Sequence, residues 1–294
     1  MDASDLKIFE TVARIGGMNR AAAALNTVQS NVTARIRALE AELGVPLFER
    51  HSRGVVLTAA GQRLLPYAMQ VRQLLDEAGR AARDDGVPLG QLTIGALETT
   101  AALRLSPVLA TYAAAYPAVD LVLRTGTTVE LIGDVLERRV DAALVAGPVV
   151  HPDLAAEVVF REQLVLMTPP SAGGLDRLDQ GDVRIVVLRA GCSYRQRLEE
   201  VLARRGIVGL RRLEFGTLEA VFGCVAAGLG VTLLPRGMIG PVWREGRVAV
   251  HTLPPAEAEV DTLLIRRRDG LETSALAAFR AQILPPGGVV QAAE

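Results

Sequence analysis

Apolar residues recur with helical spacing in short segments at the start of the chain. Leu6, Phe9 and Val12 share one face of a first predicted helix, which ends at a glycine pair. The stretch "RAAAAL" then predicts a short second helix, and Asn19 is expected to cap it. So much alanine lets two helices pack closely.

The third predicted helix, within "ALNTVQSNVTARIRALE", has one apolar face and unusually polar first turns. Val32, Ile36 and Leu39 form the apolar face. "LFERHSRGVVLT" follows as two extended segments around an Arg-Gly turn, which is typical of a small β-wing. The polar turns carry small or amide-bearing side chains, namely Thr27, Gln29, Ser30, Asn31 and Thr33.

Residues 59–83 predict one long helix, which Pro66 is able to kink. Its apolar residues recur at alternating steps of three and four, as in a coiled-coil seam. A solvated linker is the alternative, but an apolar seam on an exposed helix favours dimerisation. The segment "RDDGVPLG" then predicts a hinge. The seam consists of Leu64, Ala68, Val71, Leu75, Ala78 and Ala82.

Beyond Gly90 the pattern changes to alternating strands and helices, the signature of an α/β fold. One series runs from "QLTIGA" to "VDAALVAG", and a second runs from "QLVLMTP" to "VTLLP". "VDTLLIRRR" and "TSALAAFRAQIL" close the chain as a strand and a helix. Two α/β lobes in tandem predict a ligand cleft between them.

Composition narrows the functional classes. The 294-residue chain is 50% hydrophobic and 22% charged, so it can form large cores. A net charge of −1 argues against coating nucleic acid or anionic membranes by bulk attraction, so any DNA contact must be local. No signal peptide or membrane span is evident, and two distant cysteines form no secreted framework. We therefore expect a cytoplasmic protein without membrane contact.

The polar third helix suits a DNA reader. In a helix-turn-helix, the second helix places its N-terminal residues against base edges in the major groove. Gln29 and Asn31 offer paired donors and acceptors to adenine, and Ser30 suits either base type. Thr27 and Thr33 suit phosphate oxygens. A capped core helix with a solvated face is the alternative. The expected cationic contacts are Arg35, Arg50 and, for a minor groove at the wing tip, Arg53.

Three motifs carry a resemblance to a known family. They are "LKIFETVARIGGMNRAAAALN", "VQSNVTARIRALEAELGVPLFER" and "RGVVLTAAG". Together they resemble the winged helix-turn-helix of LysR-type transcriptional regulators, and the resemblance continues to about residue 285. Val28 departs from the Thr or Ser of many members, which weakens a phosphate contact but leaves Gln29 in place. Ser30 replaces a common proline, which the first turn of a helix tolerates.

The resemblance implies a regulator with an N-terminal winged helix-turn-helix and a two-lobed, periplasmic-binding-protein-like α/β effector domain. It implies promoter DNA and a small-molecule effector as partners, and a homotetramer. The seam alone predicts only a homodimer, whose DNA half-sites would lie roughly 34–36 Å apart. The expected domains are 1–58 for DNA binding, 59–86 for the linker helix and hinge, and 90–294 for effector binding. Within the last, lobe I covers about 90–161 plus 263–285, and lobe II about 162–262.

The resemblance places the effector at strand-to-helix junctions that face each other across the cleft. Backbone N–H groups and hydroxyls at such junctions suit a carboxylate or another small anion. Glu98, with Arg195 opposite, suggests an ammonium group and hence an amino acid or amine-related metabolite. Helix capping is the alternative role for these residues. The expected contacts are Leu97, Glu98, Thr99, Thr100, Gly126, Thr127, Thr128, Cys192, Ser193, Tyr194, Gly216 and Thr217.

Rival functions find weaker support in the sequence. Cys192 at a helix start suggests a thiol redox sensor, but Cys224 reads as a buried mid-helix residue. A solute-binding protein would not carry residues 1–66. No histidine has a metal-ligand partner at the right spacing, and no nucleophile elbow or dinucleotide loop occurs. We therefore expect no enzyme activity, no catalytic residues, no cofactor and no metal.

Overall fold

The computed structural model describes residues 1–51, 54–172, 183–284 and 290–291. The chain divides into two compact units, Met1–Arg83 and Asp84–Glu294. Within the described residues, no helix is both long and apolar enough to cross a membrane.

The first unit consists of four helices and a two-stranded wing. An antiparallel pair of strands joins the third helix to the fourth. The elements, in chain order, are α1 (Ala3–Ile15), α2 (Met18–Ala24), α3 (Gln29–Leu43), β1 (Phe48–His51), β2 (Gly54–Leu57) and α4 (Ala59–Ala81).

Local capping explains where the first helices begin and end. Asp2 and Asp5 form a capping box at the start of α1, and Gly16 ends the helix with a φ of 71°. The predicted cap at Asn19 is wrong. Helix α2 already begins at Met18, and its N-cap is Gly17, which offers no side-chain hydrogen bond.

The apolar face of α3 lies in the core of this unit. Val32, Ile36 and Leu39 are all buried, as the pattern predicted. Phe9 of α1 packs on Phe48 of β1, with ring centroids 5.3 Å apart. This packing fixes α3 and the wing on one small core, so the polar face of α3 is left exposed.

Helix α4 uses its apolar residues on two sides. Thr58 caps it, and Pro66 lies within a helix that continues unbroken. Ala68 is buried in the core of the first unit, and the predicted seam residues Leu64 and Val71 pack against that core. Apolar side chains farther along α4, including Leu75 at 53% exposure, stay accessible. The predicted seam is therefore divided between the intramolecular core and the surface.

The second unit alternates strands and helices. Its described elements include a π-helical turn at Ala101–Leu105 that joins two helical segments into one. They are β3 (Gly90–Ala96), α5 (Glu98–Thr100), α6 (Ser106–Ala115), β4 (Val119–Thr125), α7 (Thr128–Leu136), β5 (Ala142–Ala146), β6 (Leu154–Thr168), β7 (Arg184–Leu188), α8 (Ser193–Ala203), β8 (Arg211–Phe215), α9 (Leu218–Ala226), β9 (Thr232–Pro235), α10 (Arg236–Arg244), β10 (Ala249–Thr252), α11 (Pro255–Ala258), β11 (Glu259–Arg267), α12 (Ser274–Ile283) and β12 (Val290–Gln291).

Strand pairing divides this unit into two lobes. Lobe I has the order β4-β3-β5-β11-β6, with β3 parallel to both its neighbours. In lobe II, the second half of β6 pairs with β9 and β10. A bridge between Ile185 and Val231 brings in β7 and its parallel partner β8. The long strand β6 therefore runs through both lobes, with β11 beside it.

The helix starts of both lobes lie where buried strands end. The carboxyl end of β3 leads into α5, and that of β4 leads into α7. In lobe II, β7 leads into α8 and β8 into α9. In an open α/β sheet these ends border the ligand crevice, so the predicted junctions are in a position to meet.

Candidate functional sites: a polar helix and an interlobe cleft

The start of α3 presents several polar side chains at the surface. Gln29, Ser30 and Asn31 are exposed, and Thr27 and Thr33 are half-buried. The Asn31 amide donates to the Thr27 hydroxyl at 3.0 Å, which orients both side chains before any contact with DNA. The helix therefore carries amide and hydroxyl groups on a rigid core-packed element, as base readout requires.

The predicted arginine contacts differ in their surroundings. Arg35 donates to Asp5 at 2.8 Å and to Asp2 at 3.1 Å, so its guanidinium is already paired within the protein. Arg35 as a phosphate contact stays a prediction, and DNA would have to compete with these carboxylates. Arg50 lies in β1, whereas Arg53 lies outside the described residues.

An inner cavity of about 40 Å³ lies between the lobes. Nine of the twelve effector contacts expected from the sequence line it, together with three residues that sequence reasoning missed, Thr125, Leu188 and Arg189. Thr100, Thr128 and Thr217 are absent from its lining. The lining is Leu97, Glu98, Thr99, Thr125, Gly126, Thr127, Leu188, Arg189, Cys192, Ser193, Tyr194 and Gly216.

Thr99 contributes an unusual polar group to the inner cavity. The residue is only 2% exposed, and its Oγ1 has no hydrogen-bond partner among the described residues. Burial raises the pKa of the neighbouring Tyr194, and the hydroxyl of Thr99 partly opposes that shift. The two hydroxyls therefore face each other without a well-formed hydrogen bond. A buried hydroxyl left unpaired costs free energy unless a ligand supplies the partner.

The lobes approach each other closely at two points beside the cavity. Thr128 of lobe I and Ser193 of lobe II share a hydrogen bond of 2.6 Å between their hydroxyls. Gly191 has a φ of +91°, and a Cβ there would lie 2.8 Å from the Thr127 Oγ1. Glycine thus permits both the turn before α8 and the close approach of the lobes.

Two predicted contact residues serve as helix caps. The Thr127 hydroxyl accepts from Glu130 N, and its own N–H donates to the Glu130 carboxylate at 2.8 Å, which lowers the pKa of Glu130. Thr217 caps α9 by accepting from Ala220 N. Thr100 is buried and lines no described cavity. For these residues the geometry favours the capping or packing role that the sequence left open.

A larger groove opens to solvent next to the inner cavity. This outer groove has a volume of about 700 Å³ and shares Cys192 and Ser193 with the cavity. Thr128 lines it, together with a set of arginines from α8 and its C-terminal end. Arg195, which the sequence suggested together with Glu98 as a ligand contact, forms ion pairs with Glu199 at 3.3 Å and Glu214 at 2.7 Å.

The thiol of Cys192 lies in a desolvated position. Burial raises its pKa, and this outweighs the backbone N–H groups of Arg195 and Tyr194, which act in the opposite direction. The nearby Glu98 also raises the pKa. Both cysteines of the chain are free. No group of three or more His, Cys, Asp or Glu side chains suited to a metal ion occurs in the part of the chain that the structure describes.

Family comparison agrees with this arrangement. Residues 3–62 match the bacterial regulatory helix-turn-helix protein family model of the lysR type, and residues 85–285 match the LysR substrate binding domain. The chain belongs to the LysR family of transcriptional regulators. Membership confirms the resemblance and the fold class inferred from the sequence. It also places this LysR regulator among DNA-binding proteins with an effector-binding domain rather than among enzymes.

Several relatives are similar over nearly the whole chain. The LysR regulator is 44% identical to the transcriptional regulator GltR of Bacillus subtilis, over 93% of each chain. It is 42% identical to YofA of the same organism, over 96% of this chain and 98% of the relative. In structure it resembles full-length CbnR in complex with its target DNA, with a TM-score of 0.68, 24% identity and coverage of 96% and 99% of the two chains. That likeness establishes the fold.

Proposed function

We propose that this LysR regulator binds promoter DNA through the polar turns of α3 and responds to a small-molecule effector held in the inner cavity. The observation that carries the proposal is the Thr99 hydroxyl, which is buried, lacks a partner among the described residues and borders a cavity lined by both lobes. A ligand that satisfies this hydroxyl gains a hydrogen bond at no desolvation cost to the protein.

The effector is a small carboxylate, amino acid or amine-related metabolite. Glu98 lines the inner cavity and forms no ion pair with any cation of the described residues, so an ammonium group suits it. Ser193 adds a hydroxyl at the start of α8, where backbone N–H groups favour a carboxylate. These two features support a ligand that carries at least one charge.

A thiol redox sensor of the same architecture is the alternative, and the surroundings of Cys192 count against it. The thiolate is the reactive form, and burial raises the pKa of this thiol above its ordinary value. At neutral pH the group is therefore protonated and a poor nucleophile. Binding of a polar effector accounts for the polar lining of the inner cavity without any oxidation step.

The regulator acts as a homodimer or a homotetramer in this proposal. Tyr67, Leu74 and Leu75 on α4 are exposed apolar side chains, and such a surface favours burial against a second copy. CbnR has been crystallised on its target DNA, which supports promoter DNA as the partner of the present chain as well.

The experiment that tests the proposal combines DNA binding with a ligand screen. A gel shift against the DNA upstream of the regulator's own gene should show specific binding. A thermal-shift screen of carboxylates, amino acids and amines should then find compounds that alter that binding. If no compound of the screen changes either the melting temperature or the gel shift, the effector part of the proposal is wrong.

Thr99→Val is the variant that addresses the cavity itself. A methyl group replaces the unpaired hydroxyl, so the free energy of unfolding should stay the same or rise by up to about 1 kcal/mol. Affinity for the effector should fall about fivefold, because one hydrogen bond is lost. Thr262→Val is the matched control, since Thr262 is also fully buried and its hydroxyl has no hydrogen-bond partner among the described residues, but it lies in β11 and not in the cavity lining. If Thr99→Val and wild type bind the effector with equal affinity, the effector does not contact Thr99 and its site lies elsewhere.

A further inference from the structure

The outer groove holds arginines whose charges are mostly neutralised. Arg195 is paired with Glu199 and Glu214, as described above. Arg204, at the C-terminal end of α8, lies 3.7 Å from Glu257 and 3.9 Å from Glu200. Neither side chain presents an unpaired positive charge to a ligand.

Arg197 is different because no carboxylate accepts from it within the described residues. Its Nη1 donates to the Glu259 carbonyl and its Nη2 to the Gly147 carbonyl, each at 3.3 Å. These are long contacts to neutral acceptors. A guanidinium in this position carries a full positive charge, is half-buried and lines an open groove. A half-buried cation without a counter-charge among the described residues is a site at which an anion can bind.

The position of Arg197 links the parts of the cleft. The residue belongs to α8 of lobe II, whereas Gly147 follows β5 of lobe I and Glu259 begins β11. A guanidinium has several N–H donors in a planar fork, and the two carbonyls use only part of them. A carboxylate can therefore bind the remaining donors while both carbonyl contacts persist. The bound anion would strengthen the tie between the lobes.

The inner cavity contains an acid without an ion-pair partner among the described residues. Glu98 lines it without a cationic partner in the described part of the chain, and Arg189 on the same lining lies 3.8 Å from Glu130. Cys192 and Ser193 border both the cavity and the groove. A ligand that extends from one to the other would pass the Ser193 hydroxyl and could replace its hydrogen bond with Thr128.

We propose that Arg197 receives a carboxylate of the effector while Glu98 receives an ammonium group, so that the cleft selects a zwitterion with its charges separated between groove and cavity. This inference rests on the proposed effector function of the cleft. A ligand with only one of the two charges forms only one of the two ion pairs. A ligand with the wrong charge at either end is repelled by the like charge of the side chain there.

The test measures ligand affinity of the full-length protein by calorimetry. The probes are ω-amino acids from β-alanine to 6-aminohexanoate and the common amino acids, which together vary the spacing of the two charges. Each is compared with the amine and the carboxylic acid of the same chain length. We expect one zwitterion to bind wild type at least about tenfold more tightly than either singly charged analogue.

Charge-removing variants then assign each end. Arg197→Gln should reduce affinity for the zwitterion about 10- to 100-fold and leave affinity for the amine unchanged. Glu98→Gln should likewise reduce affinity for the zwitterion and leave affinity for the carboxylic acid unchanged. Arg204→Gln is the matched control, because it removes a counter-charged arginine of the same groove and should alter none of the three affinities. General damage to the cleft would instead weaken all three ligands together.

Three results would overturn the inference. They are equal effects of Arg197→Gln and Arg204→Gln, equal loss of amine and zwitterion in Arg197→Gln, or no binding of any zwitterion of the series to wild type. If a different class of compound then binds and loses affinity in Thr99→Val, the proposed function stands and only the ligand class is wrong. If no compound at all alters operator binding, the proposed function itself fails.

Discussion

At the residue scale, the amide of Asn31 is the group on α3 best suited to base readout. It is exposed on the first turn, and its hydrogen bond to Thr27 holds it in a defined rotamer. Asn31→Ala should cost roughly 1–3 kcal/mol of binding free energy on the specific operator and little on random DNA. Titration of both DNAs at one salt concentration measures this difference. If binding free energy falls equally on the operator and on random DNA, Asn31 does not read bases.

The sequence indicated which residues lie in the cleft, but not which of them form ion pairs. Glu98, Thr99 and Ser193, which the junction motifs singled out, line one cavity, and their part in effector binding stays a prediction. Pairing could not be read in the same way, since it depends on tertiary neighbours. Arg195 meets Glu214 of another strand, whereas Arg197, two positions on, meets only carbonyls among the described residues. Nothing in "SYRQR" distinguishes these two arginines.

At the element scale, α4 has an exposed apolar strip that calls for a partner. Leu75 is 53% exposed, although the seam residues that precede it, Leu64, Ala68 and Val71, lie in or pack on the core of the first unit. Leu75→Glu should place a charge in an apolar contact, so sedimentation should show smaller species and operator binding should fall. Gln62→Glu is the control, because it adds the same charge at an exposed polar position of α4. An unchanged oligomer with intact binding would make α4 a spacer only.

Periodicity predicted most elements of the second unit, and it failed where a strand crosses between lobes. "QLVLMTP" indicated only the second half of β6, which is buried and apolar. The first half is only partly buried, includes the charged residues Glu157, Arg161 and Glu162, and pairs with β11, a partner about a hundred positions away. Elements α10 and β10 were missed as well. Strand pairing of this kind joins distant parts of the chain, so the local sequence gives no signal for it.

The turn between β7 and α8 is the element that sets how closely the lobes approach. In Gly191→Ala, a Cβ would lie 2.8 Å from the Thr127 Oγ1, and the φ of +91° would be strained. Gly206→Ala is a matched control, because its φ is +78° and no atom lies within 4 Å of the added Cβ. Both variants should lose about 1 kcal/mol of stability from backbone strain. Only Gly191→Ala should also weaken effector binding, measured by calorimetry, and equal affinities in the two would contradict a role in lobe closure.

At the scale of the whole molecule, the hydrogen bond between Thr128 and Ser193 joins two lobes that a ligand is proposed to hold closed. A ligand shifts such an equilibrium only by its difference in affinity for the open and closed states. Contacts from both lobes are therefore required. The cleft supplies them from Thr99 and Glu98 on one side and from Ser193 and Tyr194 on the other.

A double-mutant cycle with Thr128→Val and Ser193→Ala measures that coupling. Each single change removes the same hydrogen bond, so in the effector-free protein their effects on unfolding free energy should be non-additive by about 0.5–1.5 kcal/mol. In the presence of saturating effector the non-additivity should shrink, because the ligand takes over the Ser193 hydroxyl. Small-angle scattering of the same four proteins should show more compact particles on ligand addition, and operator footprints should change with it. Additive effects with and without ligand would mean that this contact plays no part in closure.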